Sequence, residues 1–156
     1  NKIQEAKPNM KFSSDFIIAY PGETLNDFEK TVSLMKQVEF INSYSFIFSP
    51  RPGTVAADLE LIDKKISTER LKKVQNLLFE NQIRMNKSLE NKNLNVLVEN
   101  LTDDGTQVFG RSEYMTSVIF NGKKSDIGKI KKVKIEKSNR STLFGEKTNN
   151  FNQKVA

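Results

Sequence analysis

A chain of 156 residues, 37% hydrophobic and 28% charged, can bury one ordinary core or two small ones, and its net charge of +6 favours acidic partners. It has no Cys and no His, which excludes zinc sites, Cys- or His-based nucleophilic catalysis and thiolate ligation of an iron–sulfur cluster by its own residues. No run reaches transmembrane length and no secretory leader opens the chain, so a cytoplasmic protein with no membrane partner is expected; Asn1-Lys2-Ile3 lacks an initiator Met and reads as mid-element, as in a piece of something longer.

Residues 1–12 are polar and read as the end of a preceding helix or loop. Phe16 to Tyr20 is a short apolar run ended by Pro21-Gly22, which predicts a strand buried on both faces. Thr24 offers a hydroxyl as N-cap, with Asp27 three residues on in the capping-box position, and Leu25, Phe28, Val32 and Met35 recur at helical spacing over 25–39. A second buried strand, Tyr44 to Phe48, follows, with Phe46 and Phe48 expected in the core. Strand, helix, strand is one right-handed βαβ unit, and ligands sit beyond the carboxyl ends of such strands. Those ends carry Pro21-Gly22-Glu23 and Ser49-Pro50-Arg51-Pro52-Gly53-Thr54. Gly22 serves either a turn or a close ligand approach. Arg51, stiffened by a proline on each side, is placed either to clamp a phosphate or carboxylate or to pair with Asp58.

The stretch to Lys65 reads as an irregular connection. Ser67 is the next N-cap candidate, and Leu71, Val74, Leu78, Met85 and Leu89 mark one face of a helix to about residue 88, interrupted by Gln82. The period then changes to alternation. Val96 and Val98; Val108, Phe109 and Arg111; Val118 to Phe120; Ile127 to Ile135; and Leu143-Phe144 are five strand candidates. Asp103-Asp104-Gly105 and Asn121-Gly122-Lys123 are turns between them, so the paired aspartates are not an acid/base pair. About 60 residues with five short strands predict a small antiparallel, oligonucleotide-binding-like barrel.

Charge is uneven. Residues 123–140 hold eight basic side chains against Asp126 and Glu136. On an alternating strand, Lys129, Lys131 or Lys132, Lys134 and Lys137 would flank inward Ile130, Val133 and Ile135, giving either a basic nucleic-acid face or a plain solvated one. Phe109, Tyr114 or Phe120 would supply any base stacking.

The runs Asp15-Phe16-Ile17-Ile18-Ala19-Tyr20-Pro21-Gly22-Glu23-Thr24 and Tyr44-Ser45-Phe46-Ile47-Phe48-Ser49-Pro50-Arg51-Pro52-Gly53-Thr54 resemble the radical S-adenosylmethionine methylthiotransferases, most closely the branch acting on tRNA. The family usually has Gly-Phe where Ala19-Tyr20 stands and Pro where Val55 stands. Gly110-Arg111-Ser112-Glu113 and Leu143-Phe144-Gly145-Glu146 resemble motifs of the TRAM domain that ends such enzymes, with Phe144 in place of a basic residue. The resemblance implies an α/β fold: residues 1–87 as the carboxyl-terminal part of a radical S-adenosylmethionine (partial TIM-type) barrel, residues 88–150 as an all-β TRAM barrel, and a tail over 151–156. It implies S-adenosyl-L-methionine near Gly22 and Glu23, and two 4Fe-4S clusters in an intact enzyme with ligands outside this chain. It also implies a cytoplasmic monomer that methylthiolates carbon 2 of an N6-isopentenyladenosine in the tRNA anticodon stem-loop, gripped through Arg51, Arg111, Lys129, Lys131, Lys132 and Lys134. The Cys-free chain alone would then be inactive. A sister enzyme acting on a ribosomal protein and a free-standing RNA-binding module are the alternatives.

Overall fold

Thr24 caps the helix Leu25–Val38 in the computed structural model, which describes residues 2–148; the end of the expected second domain past 148 and the 151–156 tail lie outside the described residues. The chain divides into two units, Asn1–Gln82 and Ile83–Ala156, so the division falls inside one long helix.

The first unit holds α1 (Lys2–Ala6), β1 (Asp15–Ile18), α2 (Leu25–Val38), β2 (Tyr44–Ile47), a single 3₁₀ turn (Val55–Asp58) and most of α3 (Lys64–Ser88). Strands β1 and β2 pair in parallel, Asp15 beside Tyr44 through Ile18 beside Ile47, which is the expected βαβ unit. The capping box at α2 is complete: Thr24 Oγ1 accepts from Asp27 N at 3.2 Å, and Asp27 Oδ2 accepts from Thr24 N at 3.2 Å. The Thr24 hydroxyl, which also donates to Asp27 Oδ2 at 2.6 Å, and then the Thr24 amide hold the Asp27 carboxyl below its ordinary value. Phe16, Ile18, Phe28, Val32, Met35, Val74 and Leu78 form the core, with the Phe40 ring edge-on to Phe16 at 5.2 Å.

Four expectations change in this unit. The strands are not buried on both faces: Phe16 and Ile18 are sealed, but Ile17 is 60% and Phe46 55% exposed, because α2 and α3 supply core residues to one face and nothing among the described residues covers the other. Phe46 is therefore not core; it stacks on Tyr44 at 6.4 Å, and Phe48 lies half-buried against Tyr20. Leu25, 62% exposed, stands one turn ahead of the buried stripe. Finally, α3 starts before Ser67. Asp63 Oδ1 accepts from Lys65 N (2.9 Å) and Ile66 N (3.1 Å), meeting two free amides, while buried Ser67 donates back to Asp63 O at 2.9 Å. Gln82 breaks the apolar stripe because its Oε1 accepts from Asn42 N at 2.8 Å.

The second unit is a closed barrel of β3 (Asn93–Leu101), β4 (Val108–Ser112), β5 (Ser117–Phe120), β6 (Ile130–Ser138) and β7 (Thr142–Lys147), in the order β3-β4-β5-β7-β6. Every pair is antiparallel except β5 with β7, which is parallel. The all-antiparallel expectation fails for a simple reason: five strands cannot alternate direction all the way round a ring. Val96, Val98, Val108, Val118, Phe120, Val133, Ile135 and Leu143 fill the interior at 0% exposure. Phe120 is thus sealed and offers no face to a base.

Two glycines let the barrel close. A Cβ on Gly110 would meet Leu97 O, and one on Gly145 would meet Lys134 O. Gly110 pairs with Val98 and Gly145 with Ile135, the residues at which β3 and β6 shift register, so the partner backbone leaves no room for a side chain. At the end of α3, fully buried Asn86 donates through Nδ2 to Asn139 O (2.9 Å) and Arg140 O (3.0 Å), anchoring the β6–β7 turn. No helix among the described residues is long and apolar enough to cross a membrane.

Candidate nucleic-acid interface

Alternation along β6 divides its lysines into two groups. Val133 and Ile135 point inward, so Lys131 shares their side and Lys132 and Lys134 face outward. Ile130, expected inward, has the outward parity and is 69% exposed beside Leu97. Lys132 stands opposite Asn95 and Lys134 opposite Asn93, which makes a ladder of amide and ammonium groups on the outer surface. Lys129 is exposed just before the strand, where its amide donates to Asp126 O at 3.0 Å.

Lys131 is engaged elsewhere. Its Nζ lies 2.9 Å from Asp126 Oδ1, Lys147 Nζ lies 3.4 Å from Oδ2, and Lys123 N donates to Oδ2 at 3.2 Å. The Lys131 hydrogen bond, then the Lys123 amide, hold the buried Asp126 carboxyl far below the usual carboxylate range. Of the four lysines predicted to grip RNA, this one closes the barrel end.

Arg111 sits on β4 with its guanidinium 5.9 Å from the Phe109 ring centre and Nε 3.4 Å from Glu99 Oε1. Glu113, from the same motif, accepts from Asn95 N at 2.8 Å. Phe109 lies half-buried on the outer surface, while Tyr114 is half-buried in the β4–β5 turn. Asp104 accepts from Thr102 Oγ1 at 2.6 Å and from Thr106 N at 3.1 Å, which lowers its pKa and makes it a turn residue. One feature escaped the sequence reading: Phe109, Ile119 and Phe144 are cross-strand neighbours with the same outward parity. Alternation was the available signal, since each follows or precedes a core residue by one.

In the first unit, Gly22 has φ +86° and open space where a Cβ would stand, so its conformation, not a crowded neighbour, calls for glycine. Glu23 is committed on both oxygens: Arg70 binds Oε1, and Ala19 N donates to Oε2 at 3.2 Å, holding Ala19 at φ +59°. Arg51 is exposed, and among the described residues it makes no ion pair with Asp58; its carbonyl instead accepts from Thr54 Oγ1 at 2.8 Å. No cluster of three or more Asp or Glu among the described residues could hold a metal, and the Cys-free chain has no thiolate for an iron–sulfur cluster.

Residues 87–148 match the TRAM domain family. Along 155 residues, 99% of its length, the chain is 58% identical to the tRNA-2-methylthio-N(6)-dimethylallyladenosine synthase of Pelagibacter ubique (strain HTCC1062), covering 35% of that protein. It is 37% identical over 149 residues to the protein of the same name from Bartonella bacilliformis and 41% over 147 residues to that of Clostridium novyi, covering 32% of each and 95% and 93% of itself. The chain thus spans about a third of the length of the curated relatives it matches. Barrel, motifs and relatives agree: residues 87–148 form a TRAM domain, and the chain is homologous to the carboxyl-terminal, TRAM-bearing region of MiaB-type tRNA methylthiotransferases.

Proposed function

We propose that this chain serves as the RNA-gripping part of a cytoplasmic, monomeric tRNA methylthiotransferase that adds a methylthio group to carbon 2 of N6-isopentenyladenosine in the anticodon stem-loop. The observation that carries this reading is the outward pair Lys132 and Lys134 on a TRAM barrel, which among the described residues make no ion pair of the kind that holds Lys131. Phosphates are met by such a face, and the barrel's closed hydrogen bonding keeps the face in place.

S-adenosyl-L-methionine and two 4Fe-4S clusters supply the radical and methyl chemistry when bound. The clusters do not fit this chain, which has no Cys, so their ligands lie outside it. The β1 and β2 ends do fit a place on the cofactor wall: Gly22 leaves open space there, and Glu23, tied to Arg70 and Ala19, shapes the loop rather than reaching out. Arg51, exposed at the end of β2, is the candidate tRNA contact of this unit.

Binding of the chain to tRNA across a salt series tests the reading. Affinity should fall steeply between about 50 and 200 mM salt, and Lys132→Ala with Lys134→Ala should flatten the log–log slope by about two. Absence of binding at low salt would overturn it.

A further inference from the structure

We propose that the outer face of β4, β5 and β7 is a stacking platform for unpaired RNA nucleotides; this deepens the tRNA-binding reading and rests on it. Register makes Phe109 the neighbour of Ile119, Ile119 of Phe144, and Phe144 of Lys137. The three apolar side chains alternate with sealed Val108, Val118, Phe120 and Leu143, yet are only half-buried themselves. They form one row across three strands, with the two aromatic positions two strand spacings apart, roughly 10 Å.

Cations stand at both ends. The Arg111 guanidinium lies 5.9 Å from the Phe109 ring centre, and Lys137 Nζ lies 5.3 Å from that of Phe144. Glu99 holds Arg111 through Nε at 3.4 Å, with the guanidinium over the Phe109 ring. Two rings joined by an aliphatic step, each with a cation over one face and the other face left for a base, suit a ligand that presents π-faces and phosphates in alternation. A single strand of nucleic acid has that chemistry, and its stacking tolerates any base. A duplex hides its base faces and would meet only the cations. The platform therefore adds a contact that salt does not abolish, separate from the lysine ladder of β6.

Fluorescence anisotropy of the full chain, with an unstructured RNA of about twelve nucleotides and with a blunt RNA duplex, separates the two contacts. Phe109→Leu combined with Phe144→Leu keeps apolar side chains at both positions and removes the rings. We expect unpaired RNA to bind about 5- to 50-fold more weakly to this variant, with duplex binding and melting temperature unchanged. Phe109→Tyr with Phe144→Tyr keeps the ring faces and should bind like the parent, which distinguishes stacking from a packing defect even if the Leu variant melts lower. Unchanged binding of unpaired RNA to the Leu variant, or equal loss on the duplex, would overturn the platform. If the parent binds both RNAs and loses both through Lys132→Ala and Lys134→Ala alone, the platform falls and the tRNA reading stands. If the parent binds neither at low salt, both fall.

Discussion

In the barrel every strand has two hydrogen-bonded neighbours and seals its inward side chains, whereas among the described residues β1 and β2 pair only with each other and leave Ile17, Tyr44 and Phe46 on an open face. Both units use alternating strands, but closure makes the difference. A ring leaves no open strand edge, so its outer surface is free to carry charge and aromatic rings for a ligand. A two-stranded sheet packed on one side leaves an apolar surface of the kind that interacts.

Substituting one residue type in each setting should give the largest contrast. Phe120→Ala in the sealed barrel should cost about 3–5 kcal/mol, measured by urea unfolding. Phe46→Ala on the open sheet face should stay within about 0.5 kcal/mol. Equal losses would mean that the sheet face is as sealed as the barrel. Glycines sharpen the point at a smaller scale. Gly145→Ala, driving a Cβ into Lys134 O, should cost about 2–3 kcal/mol, and Gly22→Ala, with open space and only an unfavourable φ, about 1 kcal/mol. Glu23→Gln, which leaves Arg70 without its carboxylate partner, should cost about 1–3 kcal/mol in the first unit and leave RNA binding by the barrel unchanged.

Acid should act on the barrel through Asp126. Its folded pKa is depressed, so its contribution is complete above the unfolded value of about 4 and is lost as the pH falls from there toward the folded value. Urea midpoints measured from pH 7 down to about pH 2.5 should drop in the parent below about pH 4 and drop less in Asp126→Asn, which starts lower. Asp27, Glu90 and Asp104, also depressed, keep some acid slope in the variant. Identical slopes would show that the Lys131–Asp126–Lys147 cluster adds nothing to stability.

Much of this architecture was readable from local patterns. Thr24 and Asp27 announce their capping box, and alternation found all five barrel strands, because those signals are local and their partners lie within a few residues. What escaped depended on distant chain. The open side of β1 and β2 cannot be read from an apolar run, since Ile17 and Phe46 are as hydrophobic as Phe16. At Ile130 the β6 parity is off by one residue from the expected face, and the ion pair of Lys131 with Asp126, five residues earlier, leaves no trace in the alternation. The Asp63 cap won over Ser67 because its carboxylate meets two amides at once.

The division of the β6 lysines is the central claim, and the salt dependence of tRNA binding by three single variants tests it most directly. Lys132→Ala and Lys134→Ala should each lower the log–log salt slope by about one with the melting temperature unchanged, while Lys131→Ala should leave the slope and lower the melting temperature. A slope reduced by Lys131→Ala as much as by its neighbours, without loss of stability, would contradict the inward placement of Lys131 and the account built on it.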